Sequence, residues 1–307
     1  MSPRPAALVL ASALGLSACA AAPAGDGRLE VLASIYPLQF VAEQVGGEHV
    51  TVEPLTPPGA EPHDVELSPR QVRSVGEADV VVVLTGFQAA VDAALEARAP
   101  EHVVDAAATP AVAEHLAEHP DEEAEGAGTD DGHDHEGGDP HFWLDPTLLA
   151  AVATDVAVTL GEADPEHAED YAANAEALGA DLGTLDGELA AGLAQCERRV
   201  VVTAHEAFGY LAERYDLEQV GISGLDPEAE PSPARLREIR DTVEAHGVTT
   251  VFTETLVSPK VAETLAADLG IGTAVLDPLE SQTDAAHDYR DVMATNLEAL
   301  RAALSCT

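Results

Sequence analysis

The sequence predicts an α/β fold of two lobes, each built on a mainly parallel sheet, joined by one long rigid helix. Three observations carry this. From Leu29 short β-rich runs alternate with helical patterns, the same alternation resumes after residue 196, and between them lie about thirty residues rich in Ala, Leu and Glu. Alternating strands and helices imply parallel pairing, because a parallel strand needs a crossover, and the crossover helices then cover both faces of the sheet.

In the first lobe, residues 29–163, "LEVLAS" reads as a strand and "YPLQFVAEQVGG" as a helix stopped by Gly46 and Gly47. "VTVEPL" is the next strand, and in "SPRQVRSVGEA" Ser68 and Pro69 have the chemistry of an N-cap and first helical residue. "DVVVVLTG" is apolar at successive positions, as a strand buried on both faces must be. "FQAAVDAALEA" and "HVVDAA" add a helix and a strand. Residues 114–139 then break the pattern with eleven acids and four histidines, which predicts a mobile acidic loop. Order returns at Asp139, and "DPTLLAAVATDVAVTLGEA" reads as a helix.

The connecting helix is expected over residues 164–195, started by Asp164 and Pro165, with no later proline. At that length it runs roughly 45 Å, more than one compact domain needs. The second lobe, residues 196–307, repeats the alternation: "RRVVVTA", "HEAFGYLAERY", "LEQVGIS", "SPARLREIRDTVEAHG", "TTVFTET", "SPKVAETLAADLG", "GTAVLD" and a last helix through "DYRDVMATNLEALRAAL". A cleft between such lobes is a natural ligand site, because loops at the carboxyl ends of parallel strands face it.

Residues 1–18 read as a signal peptide, with Arg4 before the apolar run "AALVLASALGL", which is too short to span a bilayer. The run ends in "LSAC", which resembles a lipobox, with Cys19 carrying lipid and residues 19–28 forming a tether; the alternative is an ordinary secretory signal cut near "ACAAAP". Both place the mature chain outside the cytoplasm, the first on the outer face of the cell membrane. In an oxidising compartment the two remaining thiols, Cys196 and Cys306, are expected to pair. That bridge would close a loop of about 110 residues, worth roughly 4 to 5 kcal/mol in the chain-entropy model. The 307 residues carry 14 Lys and Arg against 56 Asp and Glu, a net charge of −42. Such a surface excludes nucleic acid and anionic membranes as partners and draws cations; it is also what adaptation to high salt produces.

Four unusual residues fall at carboxyl ends of predicted strands. His63 lies in "GAEPHDVELSP", His141 in "DPHFWLDP", His205 in "VVVTAHEAFGY" and Asp277 in "TAVLDPLE". Three imidazoles and a carboxylate form a four-coordinate set suited to Zn²⁺, and nitrogen-rich ligation disfavours Mn²⁺. Ligation needs neutral imidazole, so affinity is expected to fall as pH drops through about 6. Glu61, two residues before His63, is an alternative oxygen ligand, and Glu206 reads as a neighbour of His205 outside the ligand set. His49, His102, His167, His246 and His287 read as ordinary structural or surface groups.

The blocks "EPHDVELSP", "DPHFWLDP", "AHEAFGYLAERY", "GLDPEAEPSPARL", "TVFTETLVSPKVAETLA" and "AVLDPLE" resemble, in order, those of the zinc-specific, ZnuA-like solute-binding lipoproteins of metal ABC transporters (cluster A-I, or cluster 9). The resemblance covers essentially the whole mature chain. It implies a metal held between two β/α lobes, His63, His141 and His205 as ligands, and Asp277 at the fourth, carboxylate position. Manganese-binding relatives commonly carry Glu at the third position, so His205 speaks for zinc, with a manganese receptor as the alternative. The implied role is capture of Zn²⁺ outside the cytoplasm and delivery to a membrane permease, by a monomer. His115, His119, His133 and His135 fall in the acidic loop that zinc members often carry, expected either to collect Zn²⁺ weakly or to be a solvated insertion. A zinc-dependent hydrolase is the rival in kind, with Glu206 or Glu61 as base; it would need an open metal position, which a fully protein-ligated ion lacks.

Overall fold

Val80–Val83, four valines each fully buried, mark the centre of the first sheet. The computed structural model describes residues 27–118 and 138–307, so the signal peptide, Cys19, most of the tether, His119, His133 and His135 lie outside the described residues. The first lobe runs β1 (Leu29–Ala33), α1 (Tyr36–Gly46), β2 (Val50–Pro54), α2 (Pro69–Val75), β3 (Val80–Val83), α3 (Ala89–Arg98), β4 (Val103–Asp105) and α4 (Pro110–Glu118). A 3₁₀ turn at Phe142–Leu144 then leads into α5 (Pro146–Ala163). The second lobe contains β5 (Val200–Thr203), α7 (Gly209–Arg214), β6 (Glu218–Gly221), α8 (Pro233–His246), β7 (Thr250–Thr253), α9 (Lys260–Leu269), β8 (Gly272–Val275) and α10 (Tyr289–Leu304). Between the lobes stands α6 (Ala168–Leu193).

Both sheets are four-stranded and parallel, ordered β2-β1-β3-β4 and β6-β5-β7-β8. In each the chain moves outward from its first strand, then returns to that strand's other side. That reversal opens a crevice at the carboxyl ends of β1 and β3, and of β5 and β7. Local chemistry agrees with these starts and stops. Ser68 and Gln71 form a reciprocal cap on α2 ahead of Pro69, and α1 ends where Gly47 turns to φ +56°.

The connecting helix begins later than Asp164 and Pro165 suggest. The Asp164 carboxylate bonds the His167 ring at 2.6 Å, and helical bonding starts at Ala168. Over its 26 residues α6 runs about 39 Å. It buries Tyr171, Ala175, Leu178, Leu182, Leu185, Leu189 and Leu193, one stripe at three- and four-residue spacing. That stripe belongs to a single apolar core reaching from Val31 and Val82 in the first lobe to Phe208, Leu276 and Leu300 in the second. Separating the lobes would therefore expose apolar surface, so the spine resists large hinge motion. Among the described residues α5 is long and apolar enough to cross a membrane, yet seven of its side chains are buried against the protein.

The acidic segment is helical at its start. Val112 and Leu116, one turn apart on α4, pack on the core, which carries the helix through Glu114, His115 and Glu118. Cys196 and Cys306 form a disulfide, flanked by a bond from the Thr307 amide to the Gln195 carbonyl. It ties the end of α10 to the start of the second lobe. Residual denatured-state contacts reduce the entropic ceiling, so Cys196→Ser with Cys306→Ser is expected to lower the unfolding free energy by about 2 to 4 kcal/mol. Urea titration of the two proteins, with unchanged circular dichroism before the transition, is the check.

Candidate metal centre

Three histidines reach one carboxylate oxygen from three directions. His63, on the loop between β2 and α2, places Nε2 3.3 Å from Glu280 Oε1. His141, just before the 3₁₀ turn, places Nε2 at 3.0 Å, and His205, just beyond β5, at 3.2 Å from the same oxygen. One ligand atom from each of the four residues lies within 4.8 Å of the others. His141 and His205 are fully buried, and the side chains of Glu280 and His63 are only 1% and 4% exposed.

Each buried imidazole is aimed by a second carboxylate. His141 Nδ1 lies 2.7 Å from Asp139 Oδ1, which also accepts from the His141 amide. His205 Nδ1 lies 2.7 Å from Glu254 Oε2, while Glu254 Oε1 accepts from the His205 amide at 3.1 Å. Glu254 follows β7, the strand beside β5, so the crevice of the second sheet holds both members of the pair. An ionised carboxylate only accepts, so Nδ1 donates in both cases and Nε2 faces the cluster. The His63 ring is held edge-on to Phe87, with centroids 4.7 Å apart.

This geometry sets the charges of the metal-free cluster. Burial alone would lower the His205 imidazole, but hydrogen bonds and charge from Glu254 and Glu280 outweigh it and push it up to about 10. His141 is raised too: burial opposes the shift, and Asp139 and then Glu280 overcome it. Burial would raise the Glu280 carboxyl, but hydrogen bonds from His141, His205 and His63 hold it well below the ordinary value.

Asp277, expected as the fourth ligand, is not in the cluster. Its carboxylate folds back on its own loop, accepting from the Leu279 amide at 2.8 Å and the Thr255 hydroxyl at 3.2 Å. The chain reverses at Leu279, φ +60°, and the carboxylate that faces the histidines is Glu280. Glu61 also stays outside the four. It accepts from the amides of His63 and Asp64, with Oε1 4.0 Å from His63 Nε2, and burial raises its carboxyl. Glu206 is held by Arg235 at 2.8 Å. His115 stacks on Tyr210 with centroids 4.1 Å apart, beside Glu213. His49 and His167 stack at 3.9 Å where α1 meets α6, a structural contact.

The family model described as zinc-uptake complex component A, periplasmic (ZnuA), matches residues 31–303. The chain belongs to this family. Among ZnuA-family relatives, the zinc-binding lipoprotein AdcA of Streptococcus pneumoniae is 36% identical over 301 residues, 96% of this chain. The chain spans 60% of that relative's length. The high-affinity zinc uptake system protein ZnuA of Bacillus subtilis is 32% identical over 305 residues, covering 97% of this chain and 95% of that protein. The solved Zn(II)-bound ZnuA-like domain of S. pneumoniae AdcA superposes with a TM-score of 0.72 at 32% identity, over 91% of this chain and 99% of that one. The names of the family model and of these two relatives describe zinc binding and zinc uptake, not catalysis.

Proposed function

We propose that this protein is an extracytoplasmic receptor that captures Zn²⁺ at His63, His141, His205 and Glu280 and delivers it to the membrane permease of an ABC transporter. One observation carries it: three imidazole Nε2 atoms from both lobes converge on one buried carboxylate oxygen. Three neutral nitrogens and one anionic oxygen suit a tetrahedral Zn²⁺ and leave about one net positive charge at the ion. Asp139 and Glu254 accept hydrogen bonds from Nδ1–H of His141 and His205, so in the neutral rings the inward nitrogens supply lone pairs without rotating. Mn²⁺ favours oxygen donors, of which this set has one. Four protein ligands fill a tetrahedral shell, which suits holding an ion rather than activating water on it. Lipid on Cys19 would keep the receptor at the membrane surface, near the permease.

Calorimetric titration of chelator-stripped protein beginning at residue 20 tests this. One tight Zn²⁺ per chain with weak Mn²⁺ is expected. Tighter Mn²⁺, or no tight Zn²⁺, overturns the assignment.

A further inference from the structure

The loop that brings Glu280 to the histidines is held against its own backbone preference. Leu279 sits at φ +60°, a left-handed conformation that a branched residue rarely adopts, and its side chain is buried at 2% exposure. Such a conformation persists only where its surroundings over-determine it. Asp277 supplies the holding contacts. Its Oδ1 accepts from the Leu279 amide at 2.8 Å, and its Oδ2 accepts from the Thr255 hydroxyl at 3.2 Å. The Asp277 backbone is in turn clamped by the buried Asn296 amide, which accepts from the Asp277 N–H at 2.9 Å and donates to its carbonyl at 2.7 Å. On either side of the reversal the first lobe holds the same loop from the opposite face. Trp143 Nε1 donates to the Pro278 carbonyl at 2.7 Å, and the Gly59 amide donates to Ser281 Oγ at 2.8 Å.

Resting on the assignment of the cluster as the zinc site, we infer that Asp277 is a positioning residue for the metal. Its carboxylate, tied to Thr255, fixes the left-handed turn at Leu279 that aims Glu280 at the three histidines. Asp277 acts on the ion through Glu280 and not by contact or by charge. The Thr255 hydroxyl, on the loop between β7 and α9, links the aim of Glu280 to the loop that carries Glu254 behind His205.

The test is a double-mutant cycle on zinc affinity, measured by competition with a chelator. Asp277→Ala is expected to weaken Zn²⁺ binding by about 10- to 100-fold, the usual range for outer groups that orient ligands. Asp277→Asn keeps an acceptor oxygen for the Leu279 amide and is expected to stay within about threefold of wild type. In a Glu280→Ala background, Asp277→Ala should add no more than about twofold, because the group it aims has gone. Thr255→Val, a change at an exposed position, is expected to lose about two- to fivefold, again only while Glu280 is present. It decides the matter if Asp277→Ala does not fold. The inference is overturned if Asp277→Ala (or, where that variant does not fold, Thr255→Val) binds zinc like wild type. It is overturned equally if Asn is as damaging as Ala, or if the losses persist undiminished without Glu280. A wild-type protein with no tight zinc site would overturn both the assignment and this inference.

Discussion

Replacing Glu280 by Gln is expected to weaken Zn²⁺ binding by about 30-fold to several thousandfold, the range for removing one charge from a buried, hydrogen-bonded ionic contact. Glu280 is the one anion among the four converging residues, and its side chain is 1% exposed. Without it the dication would sit in a buried pocket against three neutral rings, with no water layer to screen it. His141→Ala is expected to fall in the same range by a different route. It removes a nitrogen donor and leaves a cavity beside Phe87 and Trp143, whose rings lie 6.3 and 5.2 Å from the imidazole. His49→Ala, at the structural stack near α6, should leave zinc affinity unchanged. Chelator competition on the three variants checks the set, and Glu280→Gln binding zinc as tightly as wild type would remove Glu280 from it.

The two-lobe α/β architecture was legible because buried parallel strands and crossover helices leave different periodicities, and both halves repeat them. The three histidines that meet at the cluster stood out because each sits in a short distinctive block, although only His63 and His205 lie on loops that directly follow strands, and His141 comes after α4. The carboxylate was harder to read. "LDPLE" offers both Asp277 and Glu280, and the choice turns on φ at Leu279. A positive φ is announced in sequence by Gly or Asn, and here the position is Leu, so the reversal that brings Glu280 inward leaves no mark. Asp139 and Glu254 were hidden for another reason. Among 56 acidic residues, nothing local distinguishes a carboxylate that orients an imidazole from one that faces solvent. The start of the acidic segment misled in the same way. Its composition reads as loop, while Val112 and Leu116 supply enough buried surface to hold α4 through Glu118.

Zinc affinity is expected to rise steeply with pH well above 6, by about 100-fold to 10,000-fold between pH 6 and pH 8 at one to two protons per ion. Neutral histidine alone would place the change near its ordinary value of 6.5, and the structure moves it upward, with His205 at about 10. The cause is the pair of carboxylates on each buried ring. Glu254 and Glu280 hold protons on both nitrogens of His205, and Asp139 and Glu280 do the same for His141. An arriving cation displaces the Nε2 proton, while Nδ1 keeps its proton and goes on donating it to its carboxylate. Each proton so displaced tightens the apparent affinity about tenfold per pH unit while the pH stays below that group's metal-free value. The sign for stability is opposite. A histidine raised from 6.5 to about 10 stabilises the metal-free fold fully below 6.5, and that contribution is lost as pH rises through about 10. Glu280, held well below 4.5, contributes above 4.5 and loses its contribution as pH falls through its lowered value. Metal-free protein should therefore lose thermal stability toward alkaline pH, and zinc-loaded protein should not, because the ion replaces the proton between the rings and Glu280. Calorimetry at pH 7 in buffers of different ionisation enthalpy should count at least one proton released per zinc. A count near zero, or an affinity flat from pH 7 to pH 8, would mean that the metal-free cluster does not hold its protons in this way.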